Sequence, residues 1–128
     1  YYFPQGNKDM EYLEKITDID DITFIDESFD AYTEFLRNSR NIVDYVGTRL
    51  HGGIHAMQNG KRSIIIAVDN RATEIARDTG IPVILESEVR EKLEKMINSS
   101  WKTKVRLNTK AIETWYDSFS KIVDKKDN

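Results

Sequence analysis

Residues 42–68 read IVDYVGTRLHGGIHAMQNGKRSIIIAV, and they contain a complete strand–helix–strand unit. Residues 42–46 are rich in β-branched side chains and predict a strand that Gly47 breaks. A helix is predicted over 49–59, where a following glycine ends it. Residues 63–68 are almost entirely apolar. A continuous apolar strand is typical of a parallel sheet that is covered on both faces.

The same alternation of short apolar runs and amphipathic segments extends outward in both directions. Apolar side chains at three- and four-residue spacing predict helices, and β-branched runs between them predict strands. Strands that alternate with helices form a parallel sheet with helices on its faces. We therefore expect an α/β, Rossmann-like fold in which residues 1–128 form a single domain. The other predicted strands lie at 1–3, 22–25 and 82–85, and the other predicted helices at 9–16, 28–40 (with Ser28 as N-cap), 70–79, 89–97 and 112–123.

The composition limits the classes of function. A chain of 128 residues is long enough for one domain with a hydrophobic core. Its net charge of -3, with both signs mixed along the chain, argues against a nucleic-acid-binding protein. The absence of cysteine excludes disulfides, thiolate catalysis and cysteine-ligated zinc. No apolar run approaches the ~20 residues of a membrane-spanning helix, so we expect no membrane span.

The beginning of the sequence suggests part of a larger protein. The chain begins at Tyr1, without an initiator methionine, and shows no signal-peptide pattern, so we expect a domain excised from a longer chain. Residues 124–128 are mostly charged and are expected to form a flexible tail.

The turn after the strand at 42–46 is the strongest candidate for a binding site, because parallel sheets bind ligands at the carboxyl ends of their strands. Gly47 permits a sharp turn, and Thr48 offers a hydroxyl that would cap the following helix. The free N–H groups at a helix start favour anions, and Arg49 adds a planar group suited to oxyanions. Histidine suits acid–base chemistry near neutral pH, which makes His51 a candidate acid or base.

Two features of the predicted helix admit either a structural or a functional explanation. Gly52 and Gly53 lie inside it, where a glycine costs roughly 1 kcal/mol relative to alanine. Either a ligand or a neighbouring part of the chain approaches them closely. His51 and His55 share a helix face, as in half of a zinc site, but the glutamate of the metalloprotease motif is absent. We expect no metal here and interpret His55 as a buried, hydrogen-bonded residue.

Three segments resemble a known family. They read DYVGTRLHGGIH at 44–55, IIIAVDNR at 64–71 and TGIPV at 79–83. Together they resemble the C-terminal half of the polysaccharide pyruvyl transferase family, over about residues 4–83. The resemblance implies a two-domain architecture similar to the glycosyltransferase B fold, with this chain as the second, donor-binding domain and an N-terminal domain as its partner.

The resemblance also implies a reaction, in which pyruvate passes from phosphoenolpyruvate to a pair of sugar hydroxyls and forms a ketal. It places the enzyme in surface or exopolysaccharide biosynthesis, in the cytoplasm near the inner face of the membrane, with no cofactor besides the donor. The family's phosphoenolpyruvate-associated triplet corresponds to Arg49, Leu50 and His51. Arg49 would clamp the phosphate or carboxylate, and His51 would donate a proton or stabilise the departing phosphate. The remaining predicted substrate-binding residues are Gly47, Thr48, Gly52, Asp69 and Arg71.

Two residues outside the triplet, Asp69 and Arg71, carry two interpretations each. Family members often have a lysine shortly after the aspartate that ends the next strand, whereas this chain has Arg71 after Asp69. Asp69 would also serve as a helix cap, and Arg71 as one half of a surface ion pair. Gln5 lies in another turn that could face the ligand. The acceptor carbohydrate would bind in the partner domain, so the isolated domain is expected to be inactive.

Two other functions compete with this hypothesis. A glycosyltransferase-B-like domain would bind a nucleotide sugar at the same turn, but the sequence has no Gly-x-Gly-x-x-Gly loop. A non-catalytic α/β signalling module, similar to a receiver domain, needs an acidic pair just after its first strand. Here Asp20 and Asp21 precede the strand at 22–25 instead.

Overall fold

The computed structural model describes residues 1–6, 8–16, 20–40 and 43–123. Strands and helices alternate through the middle of the chain as the sequence predicts. The elements are α1 (Asp9–Ile16), α2 (Phe29–Asn38), β1 (Tyr45–Gly47), α3 (Leu50–Gln58), β2 (Ser63–Ala67), α4 (Asn70–Thr79), β3 (Val83–Leu85), a short 3-10 turn (Glu86–Glu88), α5 (Val89–Asn98) and α6 (Thr109–Val123).

The sheet is parallel and open, with three strands in the order β1-β2-β3. Tyr45 of β1 lies opposite Ser63, and Val83 of β3 lies opposite Ile65. Successive residues of a strand point to opposite faces, and Ile64 and Ile65 are both fully buried. The apolar run is therefore the central strand, and the predicted α/β parallel sheet flanked by helices is confirmed. This arrangement is consistent with a Rossmann-like fold.

One face of the sheet is covered by α3 and α4. Ile65 is fully buried in a core cluster with Ala72 of α4 and Ile81. Gly53 of α3 lies directly against this face, because a Cβ added to it would stand 2.7 Å from the Cγ1 atom of Ile65. The hydroxyl of Ser63 donates to the Gly53 carbonyl at 3.0 Å. Gly53 is thus explained by the close packing of helix on sheet.

A second buried cluster joins α2 to α3. Tyr32 and Leu36 of α2 pack against Ala56 of α3, and the ring of Phe3 stacks on Tyr32 with 4.1 Å between centroids. The phenol of Tyr32 donates to the carbonyl of Gly52 at 3.0 Å. This contact fixes α2 against the first turn of α3, where the candidate site begins.

Replacing Tyr32 by phenylalanine is expected to lower the free energy of unfolding by about 1 kcal/mol near neutral pH, because the bond to Gly52 is lost. Burial raises the pKa of Tyr32, and the neighbouring Tyr45 phenol raises it further. A group whose folded pKa is raised contributes stability that is complete below the unfolded pKa of ~10 and is lost as the pH rises beyond it. Urea denaturation on both sides of pH ~10 should show a smaller alkaline loss in Tyr32→Phe than in the wild type. The exposed Tyr12→Phe is the control, and equal alkaline losses in wild type and Tyr32→Phe would contradict this account.

The C-terminal end of α5 is held by one arginine. Arg62 donates to the carbonyls of Ile97 and Ser99, at 2.7 and 2.6 Å. Its guanidinium also pairs with Asp44 and lies 5.0 Å from the centre of the Trp101 ring. A cation is favourable at the carboxyl end of a helix, where the dipole is negative. Since Arg62 immediately precedes β2, these contacts connect the end of α5 to the start of that strand.

The start of α3 differs from the prediction. Gly47 pairs with Ile65 as the last residue of β1, so it does not break the strand. The helix then begins at Leu50 with Arg49 as its N-cap, and the predicted cap by Thr48 is wrong. The strand continues through the flexible glycine, which moves the start of the helix one residue along the chain.

The strands predicted at 1–3 and 22–25 are reduced to a single parallel bridge between Tyr2 and Phe24. The amide of Tyr2 donates to Thr23 at 2.8 Å, and that of Ile25 donates to Tyr2 at 2.9 Å. A cleft lies between residues 1–3 and β1, so the pairing does not extend into the sheet.

The caps predicted for α2 and α4 are confirmed. The Ser28 hydroxyl accepts from the amide of Ala31 at 3.1 Å, and the Asp69 carboxylate accepts from the amide of Arg71 at 3.0 Å. Gly80 ends α4 with a φ of 73°, a left-handed conformation that glycine adopts readily. The predicted strand residue Ile42 and the predicted tail at 124–128 lie outside the described residues. Within the described ranges, none of the helices is long and apolar enough to cross a membrane.

Candidate functional site

A small pocket of about 240 Å³ lies at the carboxyl ends of β1 and β2, where parallel sheets bind ligands. Its apolar part consists of Ile66, Val68 and Ala72. Most of the predicted site residues meet in it. They are Gln5, Thr48, Arg49, Leu50, His51, Asp69 and Arg71.

The first turn of α3 supplies one wall of the pocket. Arg49 takes the N-cap position with an extended backbone, at φ -83° and ψ 102°. The side chain of Arg49 makes no capping hydrogen bond to this helix. The first N–H groups of a helix have no partner within it, and they carry the positive end of the helix dipole. This wall therefore offers backbone donors to an anion.

Arg49 is held at both its main chain and its side chain. The phenol of Tyr45 donates to the Arg49 carbonyl at 2.8 Å. The guanidinium donates through Nη2 to the carboxylate of Asp9, also at 2.8 Å. The Arg49 side chain nevertheless remains 54% exposed, and a guanidinium carries five N–H donors. Donors beyond the Asp9 contact are therefore available to a ligand.

Asp9 is the site residue that sequence reasoning missed. It lies in the first turn of α1, far from Arg49 in sequence, and becomes its neighbour only through the fold. The one available signal was its position in sequence. Asp9 begins the predicted helix that follows the turn at Gln5 and Gly6, and that turn lies at the end of a predicted strand. Burial works to raise the pKa of Asp9, but hydrogen bonds from the Gln5 amide and from Arg49 outweigh it and lower the pKa. The carboxylate therefore stays ionised beside the arginine.

The two histidines have different surroundings. His51 is exposed and lines the pocket. His55 is half-buried, with Nε2 2.8 Å from the hydroxyl of Thr33 and its ring 4.6 Å from that of Phe29. The hydrogen bond predicted for His55 is confirmed, although its side chain is half-buried and not fully buried. His51 is the more exposed of the two histidines.

Asp69 and Arg71 have structural contacts and also line the pocket. Besides capping α4, Asp69 accepts from Arg71 Nε at 3.0 Å and Nη2 at 2.6 Å. The hydrogen bonds and charge of Arg71 lower the pKa of Asp69, and Asp69 in turn raises the pKa of Arg71. The predicted surface ion pair is confirmed. It holds the positive charge of Arg71 at the rim of the pocket.

Gly47 and Gly52 lie beside the pocket. Gly47 lines a larger neighbouring cleft, and a Cβ there would stand 2.8 Å from the phenol oxygen of Tyr45. Gly52 is buried, and a Cβ there would meet the Gln5 amide at 2.8 Å. The absence of a side chain at Gly52 thus admits the side chain of Gln5, which favours the packing explanation for this glycine.

The larger cleft, of about 890 Å³, runs along the free edge of β1. Aromatic side chains from residues 1–3 and from α2 line much of it. It shares Gln5, Thr48 and Arg49 with the small pocket, so the two cavities adjoin at the start of α3.

Comparison of the chain with protein-family models, with curated proteins and with solved structures gave no match. Within the described part of the chain, no three histidine, aspartate or glutamate side chains form a group that could hold a metal ion.

Proposed function

We propose that this chain is the donor-binding domain of a polysaccharide pyruvyl transferase, which transfers pyruvate from phosphoenolpyruvate to a pair of sugar hydroxyls. The observation that carries the proposal is the pocket at the ends of β1 and β2. There the Arg49-Leu50-His51 triplet meets a second arginine, Arg71, from the next helix. This is the triplet on which the family resemblance depends.

The pocket suits a small, doubly anionic ligand. Phosphoenolpyruvate carries a phosphate and a carboxylate, and the pocket offers Arg49, Arg71 and the uncapped start of α3. Its volume of about 240 Å³ is below the roughly 300–1,000 Å³ of pockets that hold drug-sized ligands. A three-carbon phosphate ester fits this size better than a nucleotide sugar. Leu50 contributes apolar packing and its backbone N–H.

The reaction needs one proton donor and one anion clamp. Protonation of the methylene carbon makes the neighbouring carbon electrophilic, one sugar hydroxyl adds there, and phosphate leaves with its bridging oxygen. The second hydroxyl then adds to the same carbon and closes the ketal. The proton of one sugar hydroxyl returns to the acid that protonated the methylene carbon. The proton of the other sugar hydroxyl leaves with phosphate. His51 is exposed and lines the pocket, where it would donate the proton, and Arg49 would balance the charge that develops on the leaving phosphate.

A second domain completes the proposed enzyme, in an architecture similar to the glycosyltransferase B fold. The donor pocket opens beside the larger cleft, and the acceptor carbohydrate would approach from the partner domain. The enzyme would act in the cytoplasm, near the inner face of the membrane, where surface polysaccharides are assembled.

Phosphoenolpyruvate is expected to raise the thermal unfolding midpoint of the chain, since a ligand at a hundred times its Kd stabilises a protein by about 2.7 kcal/mol. Thermal shift should be measured with phosphoenolpyruvate, pyruvate, inorganic phosphate and uridine diphosphate sugars. Pyruvate and phosphate each carry one of the two anionic groups and should have smaller effects at equal concentration. Stabilisation by the uridine diphosphate sugars without a response to phosphoenolpyruvate would replace this proposal with the nucleotide-sugar alternative.

A further inference from the structure

The carboxylate of Asp9 connects α1 to the start of α3. Its Oδ1 atom accepts from Arg49 Nη2 at 2.8 Å, across 40 positions of sequence. The Asp9 side chain is 21% exposed, whereas that of Arg49 is 54% exposed. The carboxylate is thus the more enclosed member of the pair, and the guanidinium extends outward from it.

The orientation of Asp9 is fixed by the turn before it. Its Oδ2 atom accepts from the amide of Gln5 at 2.9 Å, and its own amide donates to the carbonyl of Gly6 at 3.0 Å. Both carboxylate oxygens therefore have a partner. A carboxylate held in this way presents Oδ1 to Arg49 in one direction.

Gly6 leaves the space in which the pair forms. A Cβ at Gly6 would stand 3.1 Å from Arg49 Nη2 and 3.4 Å from Asp9 Oδ1. A side chain there would contact the carboxylate and crowd the guanidinium, which would have to shift slightly. The turn at Gln5 and Gly6 is therefore matched to the Asp9–Arg49 contact in both its hydrogen bonds and its shape.

We propose that Asp9 is a positioning residue, which holds the Arg49 guanidinium so that its remaining N–H groups serve the pocket before the anion arrives. This inference rests on the proposed function, in which Arg49 clamps phosphoenolpyruvate. A long arginine side chain loses rotational freedom when it binds a ligand, and prior restraint by Asp9 reduces that loss. The Tyr45 phenol restrains the main chain of Arg49 in the same way.

The restraint itself is tested without ligand, by nitrogen-15 NMR of the Arg49 guanidinium in the full chain. Its signals are assigned by their loss in Arg49→Lys. We expect slow rotation about the Nε–Cζ bond in the wild type and fast rotation in Asp9→Ala. Glu11→Ala, at an exposed carboxylate of the same helix, is the matched control and should retain slow rotation. Free rotation in the wild type, or the same rotation in Asp9→Ala, would overturn the proposal whatever the ligand.

The consequence for binding is tested by calorimetric titration with phosphoenolpyruvate and with inorganic phosphate. Asp9→Ala should weaken phosphoenolpyruvate binding roughly tenfold, because an arginine must be immobilised on binding. Asp9→Asn should recover part of the affinity, since its amide oxygen can still accept from Arg49. Thermal unfolding midpoints of all variants check that the fold is intact. If Asp9→Ala does not fold, the affinity of Asp9→Asn for phosphoenolpyruvate is compared with that of the wild type instead.

The outcomes separate this inference from the proposed function. Unchanged or tighter binding in Asp9→Ala, with Arg49→Lys weakened, would overturn the positioning role and leave the donor site standing. A wild type that binds neither anion would overturn the donor site and, with it, the ligand part of this inference. The NMR result would then still decide whether Asp9 holds Arg49.

Discussion

Arg49→Ala is expected to reduce ketal formation at least about a hundredfold, because loss of one donor to a developing oxyanion typically costs that much in rate. The measurement requires the enzyme together with its acceptor domain, phosphoenolpyruvate and an acceptor sugar, with phosphate release as the readout. The substitution keeps the backbone of the N-cap, including the carbonyl that accepts from Tyr45. The loss should therefore come from the missing guanidinium.

Two further variants show whether the effect belongs to the pocket. Arg77→Ala removes an exposed guanidinium from α4 that pairs with Asp78 and should retain full activity. Arg49→Lys keeps the charge but not the planar fork, so it should lie between the wild type and the alanine variant. The fold is checked by the unfolding midpoint, because Arg49→Ala also removes the ion pair of Asp9. Full activity in Arg49→Ala would exclude the pyruvyl transferase assignment.

The elements around the site could be predicted because local patterns determine them. The apolar run at 63–67 can be buried only as a central strand, and Asp69 and Gly80 mark the two ends of α4. Arg49 and His51 could be placed in the pocket for the same reason, since they lie at the cap and in the first turn of the helix that follows β1.

Other features depend on contacts that no local pattern contains. Asp9 reaches Arg49 only when α1 packs near the start of α3, and an acidic residue in the first turn of a helix is common in any sequence. The role of Gly52 depends likewise on Gln5, which lies far away in sequence. The start of α3 was misplaced because a glycine permits both a strand residue and a break, and pairing with Ile65 selects the strand.

Gly53 lies directly against Ile65, and substitutions at these two positions should be strongly coupled. Ile65→Ala empties fully buried volume and is expected to lower the free energy of unfolding by about 2–5 kcal/mol. Gly53→Ala adds a methyl group that would stand 2.7 Å from Ile65 Cγ1 and 3.0 Å from Tyr45 Cε1. Overpacking of this kind costs about 1–3 kcal/mol, which the roughly 1 kcal/mol better helix propensity of alanine offsets in part.

The double variant Gly53→Ala/Ile65→Ala should be less destabilised than the sum of the two single changes, by about 1–2 kcal/mol. Ile65→Ala removes both isoleucine atoms that the new methyl group would meet, so that group occupies part of the emptied space. Urea denaturation of the four proteins measures this coupling. Gly52→Ala is the matched control, since the three atoms nearest its added Cβ belong to the flexible Gln5 side chain, and its effect should be additive with Ile65→Ala. Additive effects of Gly53→Ala and Ile65→Ala would mean that α3 does not pack on β2 as described. The start of α3, which carries Arg49 and His51, would then lack the packing that holds it at the pocket.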